Sequence, residues 1–372
     1  HTLIGSIVGV GLANSVMAGS HTFGDGVNWA KGQDTLLALI VSPVVGFVLA
    51  GGLLLLLKLL VRRPELFEEP VKGKPPTLWV RTLLVLTCTG VSFAHGSNDG
   101  QKGMGLLMLI LIGIVPTIYA LNPNMAPSAI ADLHTTSVAV THVFDRQAGQ
   151  RMDSVEDASN GLNAYLKTTG VLDQSTWSAL ATTNHEVQKE LAHLTSLSQV
   201  PPAERGAVRS QMYQVSASIS KIQKAKVLSD EDMKALLGYK KQLDGATNFI
   251  PLWVKIAVAT FLGFGTMIGW KRIVITVGER IGKTHMTYAQ GASAEIVAYA
   301  TIQMADHLGL PVSTTHILSS GVAGTMAANR SGLQWATVRN IAMAWVLTLP
   351  VCIFLGAMLF AAGLRIVSAF HL

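Results

Sequence analysis

Long apolar runs separated by short polar, glycine-rich joints organise most of the chain. Leu36–Val61, with five consecutive leucines from Leu53 to Leu57 and Arg62 and Arg63 behind it, is long enough to cross a bilayer, which takes about 20 mostly apolar residues. Leu78–Ala94 and Met104–Leu121 are two shorter runs with a polar hinge between them. Pro251–Trp270 is another span, with Trp253 and Trp270 placed as interface anchors. Thr287–Ala305 is weaker because it carries Gln290, Glu295 and Gln303, and Val312–Ala328 is short and rich in hydroxyls. Ile341–Leu364 is a clear last span closed by Arg365, and residues 1–18 form one more short segment. Residues 122–250 have a different texture. Val187–Leu197 and Met212–Leu243 place apolar residues at helical spacing among charges, and Pro201-Pro202 breaks the chain between them. Ser229-Asp-Glu-Asp232 has the form of a helix start with acids in its first turn. The pattern predicts an all-α, polytopic membrane protein that carries a soluble, mostly helical insert of small-domain size.

A repeat straddles this pattern. Residues 1–14 (His1-Thr-Leu-Ile-Gly-Ser-Ile-Val-Gly-Val-Gly-Leu-Ala-Asn14) and 316–329 (His316-Ile-Leu-Ser-Ser-Gly-Val-Ala-Gly-Thr-Met-Ala-Ala-Asn329) share His, Leu, Gly and Asn at a constant offset of 315. Asn28-Trp-Ala and Gln334-Trp-Ala then each lead into a long apolar stretch. Duplicated membrane halves with short, Gly- and Pro-interrupted segments, commonly inverted, mark secondary transporters, whose helices are often broken or re-entrant. The second copy is preceded by Pro311-Val-Ser-Thr-Thr315, which the first lacks. The chain is therefore expected to be truncated at its N-terminus. The expected organisation is 1–61 as the remainder of a first membrane repeat, 62–77 as a basic loop, 78–121 as the start of a second repeat, 122–250 as the insert and 251–372 as the rest of the second repeat.

Composition narrows the class. Of the 372 residues, 49% are hydrophobic and 13% charged, about half the charge of a soluble domain. The segment 122–250 holds 12 basic and 13 acidic residues, leaving 16 and 9 for the rest, so the whole positive excess lies among the apolar runs. That suits positive-inside loops and argues against a nucleic-acid surface. Cys88 and Cys352 both sit in apolar runs without metal-ligand spacing, and His134, His142, His185 and His193 match no metal motif. The loops 62–77 and 271–283 are both basic and both look cytoplasmic. Two crossings in 78–121 and one in 251–270 would put them on opposite sides, so either a short segment is re-entrant or one basic loop is not cytoplasmic.

Three motifs carry chemistry. In Ser92-Phe-Ala-His95-Gly-Ser97-Asn98-Asp99-Gly100-Gln101-Lys102-Gly103-Met-Gly105, seven polar or charged side chains lie between two apolar runs. Ionisable groups at membrane depth are costly and point to function. The glycines would permit unwound backbone, whose amides, with Ser97, Asn98 and Lys102, would suit an oxyanion, while Asp99 would suit a cation or a proton. An ordinary polar loop is the plain alternative. Pro311 at a first helical position, followed by Ser313, Thr314 and Thr315, describes a helix start able to receive an anion, or else a simple cap at the membrane surface. Gln290, Ser293 and Glu295 fall within about one and a half helical turns, with Glu295 either a coupling-ion site or a structural partner of a basic residue.

These residues resemble the Pit family of inorganic phosphate transporters, in its bacterial low-affinity branch. His95-Gly-Ser-Asn98-Asp99-Gly-Gln-Lys-Gly stands where that family has its G-x-N-D segment, and Met286–Glu295, Pro311–His316, Gly321–Met326 and the position of the insert also match. The family's first such segment would lie upstream of His1, about 90 residues plus a leading helix away by repeat symmetry. The resemblance implies a multi-pass protein of the bacterial inner membrane, not an enzyme, that takes up phosphate by cation symport through alternating access. Ser97, Asn98, Asp99, Gly100, Lys102, Ser313, Thr314, Thr315 and His1 become candidates for phosphate, and Asp99, Glu295, His95, Gln290 and Ser293 for the coupling ion. No cofactor is implied. The implied ion is the proton, with sodium the alternative, and the cargo is phosphate itself or a neutral complex with a divalent cation. The implied partners are phosphate and the lipid bilayer, with a homodimer as the assembly state to test. Competing expectations are another oxyanion such as sulfate or arsenate, and a receptor or scaffold that works through the insert. A membrane enzyme acting on phosphate esters would need H-E-x-x-H, G-x-S-x-G or clustered metal carboxylates, none of which occurs.

Overall fold

The computed structural model describes residues 2–17, 27, 29–71, 75–167 and 170–370. The described residues form helices joined by short turns. α1 (Thr2–Met17) and α2 (Trp29–Leu60) are followed by α3 (Leu78–Ile114), a single helix of 37 residues. The short α4 (Pro116–Tyr119) precedes the insert, which contributes α5 (Pro127–Ala148), α6 (Val155–Leu166), α7 (Gln174–Leu191), α8 (Arg205–Ala225) and α9 (Asp230–Thr247). α10 (Leu252–Met267), α11 (Trp270–Glu279), α12 (Tyr288–Leu308), α13 (Thr314–Ala328) and α14 (Trp335–Phe370) complete the chain. Among the described residues, three helices are long and apolar enough to cross a membrane, within α2, α3 and α14. α1 and α13, at 16 and 15 residues, reach only about 24 Å, short of a hydrocarbon core of about 30 Å.

The structure corrects two expectations. The hinge between Ala94 and Met104 is not unwound, because α3 runs through it without a break. Four glycines there cost roughly 1 kcal/mol each relative to alanine, but at membrane depth a backbone group left outside the helix costs several kcal/mol. Continuity wins. α10, expected as the other crossing, has 16 residues, as few as α1. The segment 271–283, expected to be a loop, is largely the amphipathic helix α11. Within Met212–Leu243 the expected helix start is present: the chain turns at Lys226, which has a left-handed φ of 53°, and restarts where the Ser229 side chain accepts from Asp232 N.

The chain divides into two compact units, residues 1–101 with 259–372, and residues 102–258. In the first, the repeat is realised as reciprocal packing: α1 lies on α14 and α13 lies on α2. The close contacts correspond. A Cβ built on Gly9 would lie 2.1 Å from the carbonyl O of Ile353, and one on Gly324 would lie 2.1 Å from that of Phe47. Gly9 and Gly324 are related by the 315 offset, while Phe47 and Ile353 differ by 306, the offset of Asn28 and Gln334. Asn28 itself lies outside the described residues. Two equivalent glycines thus let two equivalent helix pairs touch backbone to backbone, the small-residue packing by which membrane helices associate where lipid supplies no hydrophobic drive between them.

The second unit has a soluble-type core built on Phe144, Leu180, Met212, Ile219, Tyr239 and Leu243, all fully buried. Its helices are capped by side chains: Ser154 accepts from Asp157 N, Asp173 from Thr176 N, and Ser229 from Asp232 N. The backbone N–H and hydroxyl of Thr176, with the Ser175 hydroxyl, hold the Asp173 carboxyl below its ordinary value of 3.8. A depressed folded-state value means that the stabilisation is present above the ordinary value and is lost as pH falls through the depressed one. Asp173→Asn, which keeps a capping oxygen without the charge, is expected to flatten the fall in thermal midpoint of the insert below about pH 4, monitored through the neighbouring Trp177. An unchanged acid profile would remove Asp173 from the account.

Candidate functional site

Asn98 and Asp99 are neighbours on α3 and therefore face different ways. Asn98 is almost wholly buried, and its Nδ2 donates to Asp306 Oδ1 on α12. The second oxygen of Asp306 is buried without a hydrogen-bond partner. Asp99, about 100° further round the helix, is paired with His95 at 2.9 Å, both side chains being partly exposed. Gly100 is buried, and Ser97 lies beside the pair on the same turn of helix. Lys102 lies on the same helix three residues beyond Asp99, in the second unit.

Three turns earlier on α3, Thr87 donates to Glu295 Oε2 on α12 at 2.5 Å. Thr87–Glu295 and Asn98–Asp306 both span 208 residues, so α3 and α12 run parallel and in register. The two acidic positions are separated by three turns, about 16 Å. Between them, Val91 and Ala94 of α3 pack with Ala298, Ile302 and Ala305 of α12, and the same cluster includes Val312 and Ile317. It therefore brings the start of α13 up to this face of α3.

α12 ends at Gly309, whose φ of 65° lets the chain turn into α13. Pro311 is not the first helical residue, as the sequence suggested. Ser313 is the cap, its Oγ accepting from His316 N at 3.4 Å, because its hydroxyl can satisfy a helical amide and proline cannot. Thr314 and Thr315 are the first two helical residues, and their amides have no acceptor within the helix. Thr314 is buried and Thr315 exposed. His316 is buried and stacks on Trp345 of α14, with ring centroids 4.0 Å apart.

The expected coupling-ion set is thus divided. His95 and Asp99 form one pair and Glu295 belongs to another. Gln290 caps α12: its Oε1 accepts from Thr287 N at 2.8 Å while its amide donates to the carbonyl of Thr325 at 3.3 Å. Ser293 is fully buried and its hydroxyl has no hydrogen-bond partner. His1 lies outside the described residues. Because α3 is continuous, its backbone supplies no freed amides, and anion donors must come from side chains and from the start of α13. Thr87 and Asp306 were missed by sequence reasoning. Their signal was the shared spacing of 11 between Thr87 and Asn98 and between Glu295 and Asp306, which means nothing until α3 and α12 are known to be neighbours. A 360 Å³ cavity walled by Phe47, Ile281, Trp335 and Trp345 is apolar and touches none of Asn98, Asp99 or Ser313. Among the described residues no cluster of three or more His, Cys, Asp or Glu side chains could hold a metal ion.

A sequence profile described as the phosphate transporter family matches residues 1–356. The chain is 36% identical over 382 residues to the low-affinity inorganic phosphate transporter PitB of Escherichia coli (strain K12), covering 99% of this chain and 76% of that one. It is 39% identical over 396 residues to PitA of the same strain, covering 98% and 75%. A low-affinity inorganic phosphate transporter of Buchnera aphidicola subsp. Acyrthosiphon pisum is 37% identical over 378 residues, covering 99% and 75%. No solved structure matches the chain.

Proposed function

The chain belongs to the phosphate transporter family, and on that footing we propose that it takes up inorganic phosphate across the bacterial inner membrane by proton symport. The observation that carries this reading is the bond that fixes Asn98 to Asp306 of α12, on the helix pair whose apolar cluster also takes in Val312 and Ile317 at the start of α13. A phosphate approaching that start would meet the amides of Thr314 and Thr315 and the hydroxyls of Ser313 to Thr315, which suit an anion by both hydrogen bonding and the helix dipole. Asn98, fixed by Asp306, would bring an amide side chain, which carries both donor and acceptor, to that face of α3. Asp99, paired with His95 on the neighbouring face of α3, would supply a carboxylate one residue along from Asn98, and protonating it would lessen its repulsion of an approaching phosphate. Binding of phosphate and proton would then be mutually favourable, which is what symport requires thermodynamically.

The test is uptake of labelled phosphate into proteoliposomes under an imposed proton gradient and, separately, a sodium gradient. Proton-driven uptake is expected. Uptake driven by sodium alone would overturn the coupling, and no uptake from folded protein under either gradient would overturn the transport reading. Cargo is read in the same vesicles: a neutral metal–phosphate complex requires divalent metal to enter with phosphate, and uptake indifferent to chelation would exclude it. Asp306→Asn is expected to raise KM for phosphate about tenfold with little change in maximal rate, because it weakens a charge-assisted bond that orients Asn98. An unchanged KM would remove Asp306 from the site.

A further inference from the structure

α8 carries two arginines one turn apart with opposite surroundings. Arg205 has a carbonyl acceptor for each guanidinium nitrogen: Nε donates to Val200 at 2.9 Å, Nη1 to Thr117 at 2.5 Å and Nη2 to Ser198 at 2.6 Å. Elsewhere in the insert, Arg146 pairs with Asp232 and Arg151 with Asp145. Arg209 has no such partner among the described residues. Its Nε is buried without an acceptor, and burial lowers its pKa from the ordinary guanidinium value. Asp244 is held by Ser216 and Lys240, and the polar residues beside Arg209 on the wall of the adjoining cavity, Thr247 and Asn248, carry no charge to answer it.

Arg209 lines a cavity of about 230 Å³ whose walls include Met108, Leu109 and Ile112 of α3 and Phe249 and Ile250 just before α10. The α3 residues belong to a helix with the composition of a membrane span, and Ile250 lies two residues before the apolar helix α10. The cavity therefore combines membrane-type walls with one half-buried cation whose Nε has no acceptor among the described residues. A charge taken out of water without a counter-ion is strongly unfavourable. A guanidinium is the side chain best matched to a phosphate group.

We propose that Arg209 and this cavity form a binding site for an anionic phospholipid, the headgroup phosphate on the guanidinium and acyl chain along Met108, Leu109 and Ile112. Free phosphate would share the guanidinium but gain nothing from apolar walls, which favours the lipid. The site lies wholly within residues 102–258 and does not depend on the transport reading.

The test uses the whole chain in detergent, titrated with phosphatidylglycerol or phosphatidylcholine and followed by native mass spectrometry and by thermal midpoint. Phosphatidylglycerol is expected to be retained and to raise the midpoint, with phosphatidylcholine at least tenfold weaker. Arg209→Gln is expected to lose at least tenfold in phosphatidylglycerol affinity while being no less stable without lipid, since it removes an unpaired charge. Leu109→Gln, which alters only the wall, should weaken the same lipid, and Lys241→Gln on the exposed surface should not. Equal retention by Arg209→Gln, equal affinity for both lipids, or displacement of the lipid by millimolar inorganic phosphate would each overturn the proposal.

Discussion

Asp99→Asn is expected to abolish proton-driven phosphate uptake in reconstituted vesicles while leaving the protein folded. The substitution is close to isosteric on a partly exposed position of a continuous helix, so packing changes little. What it removes is the charge that His95 holds at 2.9 Å and the only protonatable oxygen at that position. A hydrogen bond to a charged group contributes about 1.5–3 kcal/mol, or roughly 10- to 150-fold in binding, and loss of the titrating proton would remove coupling on top of that. His95→Gln should do less, because it loosens the carboxylate without deleting it. Uptake by Asp99→Asn that still follows the proton gradient would put the coupling elsewhere. Glu295, three turns away and bonded to Thr87, would be the next group to test.

Gly324→Ala and Gly9→Ala are expected to be the most damaging single-methyl changes in the membrane unit. Each would place a Cβ 2.1 Å from a carbonyl oxygen of the facing helix, well inside van der Waals contact, and that obstacle is backbone that cannot rotate away. Overpacking of this kind costs about 1–3 kcal/mol or more, comparable with a large share of a protein's net stability of about 5–15 kcal/mol. Because the two contacts are equivalent in the repeat, the two variants should fail alike, with lower midpoints in detergent and less folded protein by size-exclusion chromatography. Gly52→Ala is the control. Nothing lies within 4 Å of its added Cβ, so it should be neutral or stabilising by up to about 1 kcal/mol. Equal behaviour of all three variants would mean that reciprocal helix contact does not hold this unit together.

Much of this molecule was legible before any coordinates. The apolar run Leu36–Val61 announces α2 because crossing a bilayer demands length and uniform hydrophobicity, and both are visible one residue at a time. Ser229-Asp-Glu-Asp232 announces the start of α9 because capping is a local bond between residues three apart. The repeat was visible as the shared His, Gly and Asn of residues 1–14 and 316–329. Within the candidate site, Asn98, Asp99 and Ser313 to Thr315 stood out because polar groups among apolar runs are expensive.

What the residues alone misjudged was continuity. Glycine content at 96–105 reads as freedom to unwind, yet the helix persists, since the cost of an unsatisfied backbone in an apolar medium is set by the surroundings. Gln290, expected among the coupling-ion ligands, closes a capping box with Thr287, a local pattern, and its amide also reaches the Thr325 carbonyl across the fold.

The sequence by itself determined the apolar runs, the helical texture of 122–250, the likeness of residues 1–14 to 316–329 and the chemical types around Asn98, because each depends on composition or on neighbours within a few residues. Only the tertiary structure decided that α1 lies on α14 and α13 on α2, that α3 and α12 run in register, and that Asp306 meets Asn98 from 208 positions away. Those facts depend on which faces touch, and a contact between distant segments leaves no period in either one.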